Sequence, residues 1–96
     1  MTVDTETLRP QVDTAEWQWL RAHNERGALI IVNEMLELAE VGVKLAHDDA
    51  ATIQSWLASG LLKKPGSDQL ESWNETPQKL FKMLVISPFV LIQEEI

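Results

Sequence analysis

Three features of the sequence predict an α+β domain: a small, mostly antiparallel sheet of three to four short strands packed against three to four helices. Leu80 to Glu94 is crowded with β-branched and aromatic residues, the composition of a strand. Ala28 to Val32 is a second short apolar run of that kind. Between them, polar residues recur every three or four positions, which is the period of a helix rather than a strand. Ninety-six residues fit one domain, 1–96, because two cores would each be too small to fold without staples. The polar stretch 1–12 is expected to be a loosely held turn of helix ending near Pro10.

Asp13 followed by Glu16 has the spacing of a capping box, so a helix is predicted from about Thr14 to Asn24, with Gly27 just beyond its end. After the strand at Ala28–Val32, the residues Glu37, Glu40, Lys44 and His47 draw one wet stripe on a helix from Glu34 to Ala46. Glu40 and Lys44 stand in the favourable order for an i,i+4 ion pair. A strand is the other reading of this segment, since Ala39, Val41, Val43 and Leu45 also alternate with Glu40, Gly42 and Lys44. Asp48 and Asp49 offer caps for a further helix, Ala50 to Ser59, which Gly60 ends in a left-handed position. The apolar phase runs unbroken across the two aspartates, so one long kinked helix is the alternative to two. Leu61 to Lys64 reads as a brief strand before Pro65-Gly66. Ser67 or Asp68 then caps a short helix to about Trp73, ended by Thr76-Pro77. The tail would reach roughly 50 Å if straight, too long for so small a domain, so Ser87-Pro88 must bend or turn it.

Eight Lys and Arg against fifteen Asp and Glu give a formal charge of −7, which repels nucleic acid and anionic membranes. The one basic grouping, Lys63, Lys64, Lys79 and Lys82, is interrupted by Asp68, Glu71 and Glu75 and reads as ordinary solvated lysines. No nucleic-acid or membrane partner is expected. The chain has no cysteine, which excludes disulfides and thiolate metal sites and fits a reducing compartment. Met1 to Thr7 carry two acids, no base and no apolar stretch after them, unlike a secretory signal. Met83 to Ile92 is too short to span a bilayer as a helix. A cytoplasmic location is the expectation.

Little here announces catalysis. Serines 55, 59, 67, 72 and 87 lack a nucleophile-elbow frame. The four glycines are scattered rather than gathered into a phosphate loop, and no cofactor is expected. Glu37 and Glu40 could pair as catalytic carboxylates, but they lie on the wet stripe and read as a solvated helix face. One constellation has chemical sense. His23, His47, Asp48 and Asp68 could together hold a divalent ion that acidifies water, making a small metal-dependent hydrolase. Against it, Asp48 already has a capping role, and a histidine at a helix C-terminus gains from the helix dipole without a metal.

The aromatic residues are more informative. Trp17 and Trp19 stand about 160° apart around a helix, so both cannot face one small core. One belongs inside, and the other lies at the rim or anchors a partner. Met83 to Ile86 and Phe89 to Ile92 are apolar on both faces of the pleat and need cover on both sides. A second subunit supplies that cover in a two-fold dimer; the N-terminal segment folded over the second face is the intramolecular alternative. Trp17, Trp19, Phe89 and Leu91 are therefore the candidate interaction residues. Their expected occupant is a second copy, an unidentified protein partner being the other choice.

Several stretches follow a familiar order: Arg26-Gly27 before a strand, Leu36-Glu37-Leu38-Ala39-Glu40-Val41 leading into Ala46-His47-Asp48-Asp49, then Trp56-Leu57, Gly60-Leu61 and Trp73. Pro88-Phe89-Val90-Leu91-Ile92-Gln93-Glu94 closes the chain. From about Trp17 to Glu94 this resembles the small bacterial family catalogued as domain of unknown function 2288. The resemblance implies a stand-alone bacterial protein and brings with it no activity, cofactor or catalytic residue. The functional expectation is a non-enzymatic interaction or regulatory module that self-associates, with the metal-dependent hydrolase as the alternative.

Overall fold

The tail folds back on itself at Ser87-Pro88, whose peptide bond is cis, and this hairpin is the middle of the sheet. The computed structural model describes residues 4–94. Five strands are present: β1 (Asp13–Glu16), β2 (Leu29–Val32), β3 (Leu62–Lys63), β4 (Leu80–Ile86) and β5 (Phe89–Glu94). They lie in the order β1-β4-β5-β2-β3. Only β2 and β5 run parallel; the other three pairings are antiparallel. Five helices accompany them: α1 (Thr5–Leu8), α2 (Trp17–Glu25), α3 (Leu38–Ala46), α4 (Ala50–Ser59) and α5 (Ser67–Glu75), with a 3-10 turn at Arg9–Gln11. The α+β class stands, with five strands and five helices among the described residues where three to four of each were expected.

Both faces of the hairpin are covered by the chain itself over most of their length, Val85 at the turn end of the first face being the exception. Val90 and Ile92 lie on one face with Phe81, Leu29 and Ile31, beneath Trp17 and Leu20 of α2 and Trp73 of α5. Leu91 and Leu84 lie on the other, beneath Leu8 of α1, Leu38, Ala39 and Val41 of α3, and the half-buried Ile53 and Trp56 of α4. The N-terminal segment contributes Leu8 to the cover of the second face, with α3 and α4 supplying the rest. The segment expected as a turn of helix ending near Pro10 is α1 followed by the 3-10 turn at Arg9–Gln11. Leu8 is buried in the second face, Asp4 caps α1 by accepting the Thr7 N–H at 2.8 Å, and Arg9 pairs with Glu37 at 2.6 Å. Residues 1–3 of that segment, like 95–96 at the other end of the predicted domain, lie outside the described residues.

The largest correction is at Asp13–Glu16, which form a strand and not the first turn of a helix. Pairing Asp13 to Met83 and Glu16 to Leu80 gives these residues a ladder, and it buries Ala15 against Phe81. A local cap cannot offset that. The helix starts instead at Trp17, where its first amides need no capping side chain. Trp17 N–H donates to the Lys79 carbonyl (2.9 Å) and Gln18 N–H to that of Pro77 (3.0 Å).

Residues 34–46 are helical only from Leu38, and the strand alternative for this segment is excluded. Asn33 to Leu36 form a turn, which Gln93 holds by donating its side-chain amide to the carbonyls of Asn33 (2.9 Å) and Leu36 (2.7 Å). Asp48, in the left-handed region at φ 54°, separates α3 from α4, so there are two helices rather than one. Asp49 caps α4 by accepting the Thr52 N–H at 3.2 Å. Lys44 turns toward Asp49, at 3.6 Å, rather than back to Glu40. Gly60 ends α4 at φ 82° as expected. Gly66 precedes α5 as its N-cap, with its N–H bonded to the Gln69 side chain, so neither Ser67 nor Asp68 fills that role.

The caps give the fold an acid limit. The Thr52 and Thr7 backbone amides, helped by their hydroxyls, hold the Asp49 and Asp4 carboxyls below the ordinary carboxylate range. The hydrogen bond from Arg9 does the same for Glu37. Groups with depressed folded pKa values stabilise above their unfolded pKa, and that support is lost as pH falls through the lowered value. Melting temperature followed by circular dichroism should therefore hold level near neutrality and drop below about pH 4. Asp49→Asn should flatten part of that drop.

Candidate docking surface

Where the cover of the sheet stops, an apolar strip remains exposed along the β4 side of the molecule. It begins on α2. Trp17 and Leu20 point at the sheet and are 1% exposed, which leaves Trp19 on the flank of the helix at 59%. Trp17 is locked inside by Trp73, whose ring centroid lies 5.0 Å away, and by Phe81 at 6.2 Å. Its indole N–H donates to Asn74 at 2.8 Å. That settles which of the two tryptophans is core. Trp17 is removed from the candidate interaction residues, and Leu91, wholly buried at the centre of the sheet, leaves with it.

His23 lies one turn after Trp19 on the same flank of α2. It lines a surface hollow together with Arg26, Val85, Pro88, Phe89 and Val90. Val85 is 50% exposed, Pro88 is exposed and Phe89 half-buried. Met83, two residues before Val85 on the same face of β4, is also half-buried. Met83 and Val85 thus leave an apolar band on the first face of β4, beside the flank of α2 that carries Trp19 and His23, whereas Phe89, paired with Ile86, projects from the second face and reaches the hollow only at the hairpin end. The Arg26 guanidinium closes the hairpin end of the band, where it donates to Nδ1 of His23. Of the four interaction residues expected from sequence, Trp19 is exposed on this side and Phe89 is half-buried on the opposite face of the hairpin. Val85 and Met83 were missed because their neighbours in the run are core residues; Val85 alone lies beyond the β1 ladder, which ends at Met83.

The sheet separates the four proposed metal ligands. His47 and Asp48 follow α3 on one face, whereas His23 on α2 and Asp68 in the first turn of α5 belong to the other. His23 is bonded to Arg26, and His47 is the C-cap of α3, its N–H bonded to Val43. Among the described residues no three histidine or carboxylate side chains converge on a point where a metal ion could sit. The hydrolase alternative has no geometric support. No helix among the described residues is long and apolar enough to cross a membrane.

A small mixed sheet with its own helices on both faces, and with polar side chains that serve caps and turns, defines an α+β domain whose distinctive surface is apolar. Residues 4–94 match the family described as protein of unknown function (DUF2288), and the chain belongs to that family. Its fold is also similar to the NMR solution structure of PA1075 from Pseudomonas aeruginosa, with a TM-score of 0.81 and 34% sequence identity. The similarity covers 93% of this chain and 82% of that one. Comparison with curated proteins gives no match.

Proposed function

We propose that the chain is a non-enzymatic protein-interaction module that self-associates through the apolar band formed by Trp19, Met83 and Val85. The observation that carries this reading is the half exposure of Trp19 and Val85 after the chain has covered most of both faces of its own sheet. Contiguous exposed apolar surface of this kind marks interaction sites in soluble proteins, and tryptophan is enriched among the residues that dominate their energetics. Val85 touches neither helix layer closely enough to be core. A charge there leaves folding nearly unchanged, within about 0.5 kcal/mol for a surface site, while placing an unpaired ammonium in the contact. Light scattering should give twice the subunit mass for the native protein at micromolar concentration and a single subunit for Val85→Lys, with unchanged far-ultraviolet circular dichroism. A native protein that is a single subunit throughout, or a Val85→Lys variant that remains paired, contradicts the proposal.

A further inference from the structure

The two ends of the apolar band carry opposite charges. Asp13 pairs with Met83 across the β1–β4 ladder, so its side chain projects from the same face as Met83 and Val85. Arg26 lies beyond Val85, beside Ser87 and Pro88 at the hairpin. Both are exposed, and neither takes part in an ion pair among the described residues. Asp13 accepts only the N–H of its neighbour Thr14, and Arg26 donates to a histidine. The band is thus apolar in its centre, negative at one end and positive at the other.

Resting on the reading that this band is where copies meet, we propose that the occupant is a second copy of the chain in one orientation: related by a two-fold axis that crosses the band at right angles near Val85, so that the two bands run in opposite senses and Asp13 of each copy faces Arg26 of the other. Stacking two bands in the same sense sets Asp13 on Asp13 and Arg26 on Arg26. Rotation about the axis that crosses the band reverses its sense, sets unlike charges together twice and brings Val85 onto Val85. Such an isologous contact uses the same surface of both copies, so it closes at the pair and leaves no band exposed for further growth. Each copy carries a formal charge of −7, so long-range repulsion favours whichever orientation finds local opposite charges. The orientation with the two bands in opposite senses is the one that finds them.

The test uses two charge reversals, Arg26→Asp and Asp13→Arg, with Val85→Lys as the control for the surface itself. Self-pairing of Arg26→Asp sets acid against acid at both ends, and self-pairing of Asp13→Arg sets base against base. Each variant alone should dissociate about tenfold more readily than the native protein. Mixed in equal amounts, the two restore both contacts, since each copy then offers the charge the other lacks. The mixture should pair nearly as tightly as the native protein, read by sedimentation equilibrium and by transfer between differently labelled subunits. If both reversals pair like the native protein while Val85→Lys separates the copies, the orientation is wrong and the surface stands. If the reversals weaken pairing and the mixture does not recover it, the two-fold arrangement is again overturned. If Val85→Lys leaves the pair intact, the surface and the orientation both fall.

Discussion

Trp17→Ala should destabilise the fold by about 3–5 kcal/mol, the range for emptying a buried aromatic site. The indole is the hub of the first core: Trp73 and Phe81 pack on it, and those two rings are themselves 4.9 Å apart and edge to face. Removing it leaves a cavity that neither remaining ring can fill without leaving its own neighbours, and it strips Asn74 of the N–H its side chain accepts. Small domains have only about 5–15 kcal/mol in all, so the variant should be partly unfolded before urea is added. Trp19→Ala, two residues away, should shift the urea midpoint of the isolated subunit little, within about 0.5 kcal/mol. Equal losses at the two positions would mean that Trp19 belongs to the core and that the exposed band has been misassigned.

Gly42→Leu should be comparably severe, for the opposite reason. Here the backbone of α3 comes close to the sheet. A Cβ added at Gly42 would stand 2.8 Å from Leu84 Cδ2, 2.9 Å from Leu8 Cδ1 and 3.3 Å from Ile86 Cδ1. A single methyl meets only the far ends of three flexible side chains. Gly42→Ala also gains up to about 1 kcal/mol of helix propensity, so it should lie near neutral. A leucine has nowhere to go without lifting α3 away from β4 and α1 away from α3. Overpacking of that kind costs about 1–3 kcal/mol and at times more; three contacts strained at once put Gly42→Leu at the top of the range. Urea denaturation of the two variants separates the effects. A leucine as well tolerated as alanine would show that α1 and α3 are not held against the sheet as described.

What the sequence disclosed was whatever its local signals control. The strand at Leu29–Val32, the turn at Ser87-Pro88, the cap at Asp49 and the stop at Gly60 each follow from a few adjacent residues, and each is where it was expected. The misread elements depend on partners far along the chain. Asp13–Glu16 has a good capping pattern, but its ladder partner Leu80–Met83 lies more than sixty residues on, and a ladder with a buried Ala15 outweighs a cap. The start of α3 is displaced to Leu38 by Gln93, which holds the preceding turn from β5.

The candidate surface was half legible for the same reason. Helical spacing said that Trp17 and Trp19 face opposite ways, and no local property said which faces inward. Trp73, Asn74 and Phe81 decide that. Leu91 and Val85 are equally apolar in sequence. One is central because β5 has neighbours on both sides, and the other is exposed because β1 stops at Met83. The case for self-association accordingly moves from a strand in need of cover to a band left over where the cover stops.

The most direct test of self-association through this band is the molar mass of the native protein by light scattering across a dilution series, beside Trp19→Ser at the same concentrations. The account predicts twice the subunit mass for the native protein at the upper end, falling toward one on dilution, and a single subunit for Trp19→Ser throughout. A single subunit for the native protein at every concentration, or identical curves for the two proteins, would contradict it.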